Sequence, residues 1–220
     1  MDYYRNNLIP YIPSSEYEKV AEEFLQAYYP IGLTKPTAIP IEEIAIKGLG
    51  LDVQYICLSE EQDIFGMTIF TDGMVEVYDP NDGVYNIEFY KSKTLLIDPE
   101  AVKKTNVGCK NNTLAHECVH WYKHRLYYKR QAFSLPKYAK YCKCRISDLP
   151  QSVHDENIME NQAIGIAPRI LMPRSTFIEA AEQLGVSYSS DNFLAISTLA
   201  KTFNVSKESV RIRLKECSLL

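Results

Sequence analysis

Between Ser14 and Tyr29 the apolar positions fall at helical spacing, with Val20, Ala21, Phe24, Leu25 and Tyr28 on one stripe. Ser15 followed by Glu18 has the form of a capping box at the start of that helix, and Pro30 stops it. A second, short helix is expected from about Pro40 to Lys47, with proline in its first turn and Gly48 and Gly50 near its end. From Leu51 to Asp98 the pattern changes. Val53–Cys57, Met67–Phe70, Met74–Tyr78, Tyr85–Tyr90 and Thr94–Ile97 are short and rich in β-branched and aromatic residues. Turn sequences ending in Gly73 and Gly83 lie between them. They predict a small, mostly antiparallel sheet whose strands pair with their neighbours in sequence.

After Gly108 the helical pattern returns. Asn111 or Asn112 can cap a helix running to about Gln131, and 132–152 reads as a long irregular connection. A further helix is expected from about Asp155 to Ala167, where Pro168 interrupts it and Leu171-Met172-Pro173 closes the segment. Ser175, Asp191 and Ser206 can cap three more helices, ending at Gly185, near Phe203 and near Cys217. Helices, then strands, then helices predict an α+β fold, with a small, mostly antiparallel sheet packed on a helical core. The expected organisation is one domain over 1–173 and a C-terminal helical region over 174–220. That region is helix-turn-helix-like in outline and packs on the same domain.

Composition narrows the function classes. The 220 residues are 46% hydrophobic and 24% charged, which excludes disorder and low complexity. No apolar run reaches the length of a membrane span, and the N-terminus lacks a secretory pattern, so a cytoplasmic chain with no membrane partner is expected. The six cysteines then read as reduced thiols. Cys142 and Cys144 are spaced C-x-C, unlike the C-x-x-C of common zinc knuckles. A net charge of −4 argues against a whole-chain nucleic-acid binder. Lys207, Arg211, Arg213 and Lys215 could let residues 191–217 read DNA, but Glu208 and Glu216 dilute that charge. Packing or substrate docking is the preferred reading of this segment.

The chemistry concentrates in the histidines. The chain has four, His116, His120, His124 and His154, and His116-Glu117-Cys118-Val119-His120 is an H-E-x-x-H sequence. Four residues are just over one helical turn, so both imidazoles stand on one face, about 6 Å apart along the axis, and can bind one Zn2+. Glu117, one position along, can reach a zinc-bound water as general base without being a ligand. Catalytic zinc usually keeps three protein ligands and one open position. His124 would lie about 12 Å beyond His116 on a continuous helix, too far for the same ion, and is read as a flanking or surface residue. Asp155, Glu156 and Glu160 on the later helix are the candidates for the third ligand. Small residues at Ala163 and Ala167 would let that helix approach closely. An oxyanion donor could come from His154, a tyrosine or an arginine.

Together, His116 to His120, then Glu160-Asn161-Gln162-Ala163, then Ala167-Pro168-Arg169-Ile170-Leu171-Met172-Pro173 resemble the ImmA/IrrE family of zinc metallo-endopeptidases. That family shows H-E-x-x-H, then E-x-x-A-N, an alanine and a closing L-M-P. Residues Leu199 to Leu214 are similar to the family's common tail. The resemblance implies a zincin-like core with a gluzincin-like site, Zn2+ as cofactor, metal ligands His116, His120 and Glu160, and Glu117 as the catalytic base. Ile164 stands where the family usually has asparagine, a residue expected to support the metal site. Family members often sit on phages and integrative elements and act on helix-turn-helix repressors. The function expected is therefore a zinc-dependent endopeptidase of one protein substrate, a repressor or other transcription regulator of a phage or mobile element. The alternative is a non-proteolytic regulatory or interaction protein that retains a structural or sensing zinc site. The substrate is expected to lie extended along an edge of the 51–98 sheet.

Overall fold

A computed structural model describes residues 8–105, 107–131, 137–145, 155–188 and 191–220. Helix α1 (Tyr17–Tyr28) buries Val20, Ala21, Phe24 and Leu25, the stripe that its spacing predicts. It is entered through a 3-10 turn, Ser14–Glu16, and no side chain caps it. Glu18 is not the return partner of a capping box. Its carboxylate is taken by Arg213, far along the chain. Helix α2 (Ile41–Glu43) opens into a π turn, Ile44–Gly48.

The strands are β1 (Asp52–Tyr55), β2 (Ile64–Ile69), β3 (Gly73–Asp79), β4 (Val84–Tyr90), β5 (Thr94–Ile97) and β6 (Tyr141–Arg145). They form a four-stranded sheet in the order β1-β5-β2-β6 and a separate β3-β4 hairpin. The sheet is mostly antiparallel, but it is not made of neighbours in sequence. β1 pairs with β5 in parallel, and β2 lies antiparallel between β5 and β6. β6 falls within the stretch that the sequence reads as an irregular connection. Its pairing with β2 supplies the order that its own residues do not signal.

β2 separates two cores. Met67 and Ile69 turn to a small cluster with Val75, Val77, Tyr90 and Leu96 beneath the hairpin. Phe70, just past the strand, stacks on Tyr128 and Trp121 in the main core. Helices α3 (Pro99–Thr105) and α4 (Val107–Val119) follow, so α4 begins before the asparagines expected to cap it. From Thr113 to Trp121 every residue is buried, which suits a helix sandwiched between the sheet and other helices. The chain then makes a π turn, His120–His124, before α5 (Arg125–Gln131).

Helix α6 (Asp155–Leu171) runs through Pro168 rather than ending before it. Proline forfeits one bond, to the carbonyl of Ile164, and that turn is on the exposed side of the helix, where Ile164 is 48% exposed. Bonding resumes from Met172 to Pro168. Ala163, Ile166, Ala167 and Ile170 are buried against α1 and α4. Helices α7 (Arg174–Gln183), α8 (Phe193–Phe203) and α9 (Lys207–Glu216) complete the chain. Ser206 caps α9, accepting from the Ser209 amide at 2.9 Å. Asn204 takes the left-handed conformation that turns α8 into α9. Phe177, Leu199, Phe203, Val210 and Leu214 join the same core as α1, α4 and α6. Arg213 is buried beneath the carboxylates of Glu18 and Glu216 and donates to the Met172 carbonyl. It is a tie between the chain's two ends and is not on the outer face of α9. Among the described residues, no helix is long and apolar enough to cross a membrane.

Candidate metal centre

Helix α4 carries His116 and Glu117, the π turn that continues it begins with His120, and α6 lies against both. The small side chains of Ala163 and Ala167 permit the approach. Glu160, one turn before Ala163, meets both histidines. Its Oε2 is 3.0 Å from His116 Nε2 and its Oε1 is 3.1 Å from His120 Nε2. The two imidazole Nε2 atoms are themselves 3.0 Å apart. Burial alone would raise the Glu160 carboxyl, but the two imidazoles outweigh it and hold the group well below the usual carboxylate range. Glu160 Oε2 is nevertheless buried without a hydrogen bond of acceptable geometry among the described residues.

These atoms fit a metal. Ligands about 2.0 Å from a tetrahedral Zn2+ stand about 3.3 Å from one another, close to the separations here. Two imidazoles and a carboxylate are the donor set of known catalytic zinc sites. A second possible grouping, His116, Glu117 and Cys144, shares one histidine. It is the poorer set, because Glu117 is already held on the other side: Thr68 Oγ1 donates to Glu117 Oε2 at 2.7 Å.

Glu117 is completely buried, and burial pushes its carboxyl up, opposed by His116, His120 and Thr68. With Oε2 bonded to Thr68, and approached by the Cys142 thiol at 3.5 Å, Oε1 has no partner among the described residues. The strand can come this close because β2 has glycine here. A Cβ on Gly66 would stand 2.8 Å from Thr113 Cγ2 and 3.1 Å from Glu117 Cγ. The α4–β2 contact that seats Glu117 therefore depends on a missing side chain, which no spacing rule signals.

His124 is the main departure from expectation. It is no surface residue: it is completely buried, and burial, followed by the neighbouring His120, depresses its pKa well below the usual imidazole value. It does not join the ligand atoms of His116, His120 and Glu160. It contacts His120 on the ring edge away from them. Gln162, which the sequence did not single out, is its other partner. Ile164, at the position where the family usually has asparagine, is half exposed and lies off this network. His154 lies outside the described residues. Asp155 and Glu156 begin α6, and neither joins a metal-holding group among the described residues.

A cleft of about 310 Å3 opens beside Glu160, lined by Tyr128, Tyr141, Cys142, Lys143, Glu156 and Asn157. It shares Tyr128, Tyr141 and Glu156 with a larger cleft that reaches the β3-β4 hairpin. The strand bordering the site is β6, beyond the edge of the 51–98 strands, whose β2 it covers.

Comparison with curated protein sequences gives no match. Among solved structures the chain is similar to a Mycobacterium tuberculosis transcriptional regulator, with 16% identity and a TM-score of 0.45. The alignment covers 96% of this chain and 48% of that one, so the chain spans about half the length of that protein. The family model described as Peptidase_M78, the IrrE N-terminal-like domain, matches residues 92–215, which include the H-E-x-x-H helix, Glu160 and the C-terminal helices. The chain therefore belongs to the ImmA/IrrE family of metallopeptidases.

Proposed function

We propose that this chain is a cytoplasmic zinc-dependent endopeptidase that cuts one protein substrate, a helix-turn-helix repressor of a phage or mobile element. The observation that carries the peptidase reading is the convergence of two imidazole Nε2 atoms and one carboxylate within about hydrogen-bond distance, with a second, buried carboxylate one residue along. In this reading His116, His120 and Glu160 hold Zn2+, and Glu117 is the general base. The repressor is the substrate that family resemblance favours.

Bound zinc would supply Lewis acidity, acidifying water and polarising the scissile carbonyl. The chain's own residues do the rest. Thr68 holds Glu117 Oε2, which leaves Oε1 as the oxygen that takes a proton from the attacking water and returns it to the departing amine. An extended substrate would lie along β6, the strand that borders the site and pairs with β2. The side chains of such a strand would reach the cleft that Tyr128 and Tyr141 line. Residues 174–220 would act as part of the same packed unit, since Arg213 ties α9 to α1 and Val210 and Leu214 sit in the core of the metal helices.

The test is co-expression of the chain with repressors encoded beside it, read by intact-mass analysis of the products. Wild type should cut one repressor at a defined bond, and Glu117→Gln should keep its zinc and cut nothing. Equal cleavage by Glu117→Gln would reject Glu117 as the base. Derepression that persists in Glu117→Gln would favour a protein that acts by binding.

A further inference from the structure

His124 and Gln162 have no part in the chemistry above, yet both are buried beside it. His124 Nδ1 lies 3.0 Å from His120 Nδ1, and His124 Nε2 lies 2.8 Å from Gln162 Oε1. Gln162 Nε2 donates to the Pro10 carbonyl at 3.0 Å. The chain of contacts therefore runs from the N-terminal segment through α6 to the π turn and ends on a motif histidine.

The direction of every bond in this chain follows from one end. A carbonyl only accepts, so the Pro10 oxygen must face the nitrogen of the Gln162 amide. The amide oxygen then faces His124 and also only accepts, so His124 Nε2 carries the proton. No carboxylate hydrogen-bonds His124 among the described residues, and full burial favours the neutral ring, which has a single N–H. His124 Nδ1 is therefore a bare acceptor, and the proton between the two rings belongs to His120 Nδ1. With its proton there, His120 presents the lone pair of Nε2 to the point it shares with His116 and Glu160.

We infer that Gln162 and His124 form a positioning relay that fixes the tautomer and ring orientation of His120 for zinc. The inference rests on the reading of His120 as a zinc ligand. It also gives the π turn a role, because such turns often occur where a helix serves a functional site, and here His120 and His124 are its two ends. Partners in this position usually tune metal affinity about 10–100-fold.

The test pairs two substitutions with one spectroscopic measurement. His124→Phe keeps a ring in the space and removes the acceptor. His124→Asn places its Oδ1 where Nδ1 was and keeps the acceptor. Zinc affinity, measured by chelator competition, should fall about 10–100-fold in His124→Phe and recover most of that loss in His124→Asn. Equal losses in the two variants, or wild-type affinity in His124→Phe, would overturn the relay. Imidazole nitrogen NMR on the wild-type protein, zinc-free and zinc-loaded, decides the matter even where His124→Phe does not fold. His124 should carry its proton on Nε2 and none on Nδ1, and a protonated Nδ1 overturns the proposal. A wild type that takes up no zinc would remove the ligand reading, while the tautomer of His124 would still judge the relay.

Discussion

The closest approach of sheet to metal helix is at Gly66, and replacing it with alanine gives a sharp test of how Glu117 is seated. The new Cβ would meet Thr113 Cγ2 at 2.8 Å, where ordinary contact begins at 3.4 Å, so the methyl group must retreat by about 0.6 Å (3.4 − 2.8). Glu117 Cγ at 3.1 Å and Oε1 at 3.3 Å are pressed as well. Overpacking of this kind costs about 1–3 kcal/mol. Alanine in an unstrained strand should by itself recover about 0.5–1 kcal/mol over glycine. The net expectation is a loss of up to about 2.5 kcal/mol, or a Tm lower by up to about 10 °C for a chain of this size. Thr113 is the lever. Thr113→Ser removes the offending methyl at a cost of about 0.8 kcal/mol alone, because Thr113 is itself buried. Combined with Gly66→Ala it should relieve the clash, giving a favourable coupling of about 1–2 kcal/mol in a double-mutant cycle by urea denaturation. Zinc content should be unchanged in all three variants, because the clash does not involve His116, His120 or Glu160. Peptidase turnover by Gly66→Ala should fall, since a displaced base transfers protons poorly. A coupling near zero would refute the argument.

Further outcomes follow from the packing and charges. Arg213→Ala should destabilise the fold by about 3 kcal/mol in chemical denaturation and open the junction of α1 and α9 to limited proteolysis, because it leaves a buried void and removes the two-point contact to Glu18, with Arg169 left beside Glu18 and Glu216. Lys207→Ala, on the outside of α9, should cost less than about 0.5 kcal/mol. Burial, and then the bond its hydroxyl gives Glu88 at 2.7 Å, raises the Tyr90 pKa above the ordinary 10.0. As pH rises past 10 the unfolded chain releases that proton while the folded chain keeps it, so stability falls by up to about 1.4 kcal/mol per pH unit. Tyr90→Phe should flatten that slope in alkaline denaturation, and an unchanged slope would contradict the assignment.

How much of this was legible in the sequence depends on the range of the interaction. The stripe of α1 and the pairing of His116 with His120 are local, fixed within a turn or two of helix, and spacing alone exposes them. The contacts that differ are non-local. Glu18 looks like half of a capping box, but Arg213 offers it a two-point guanidinium contact that three-residue reasoning cannot see. Tyr141 to Arg145 alternates only through its two cysteines and has no β-branched residue, and it becomes a strand because β2 has an edge for it to pair with. His124 follows His120 by the same four residues that separate His120 from His116, and distance along the axis disfavours it as a third ligand. Its burial shows only when Gln162, on another helix, takes its far nitrogen. Spacing leaves Glu160 open beside Asp155 and Glu156, and only the resemblance to a family pattern singles it out. The fold brings it to both imidazoles.

The central claim is that His116, His120 and Glu160 hold one zinc. Metal content per chain in purified protein tests it most directly, with wild type measured beside His116→Ala and Glu160→Ala. Each variant should keep its fold by circular dichroism, and wild type should carry about one zinc per chain, with both variants sharply depleted. A well-folded wild type without zinc, or a Glu160→Ala protein that holds zinc as tightly as wild type, would contradict the account.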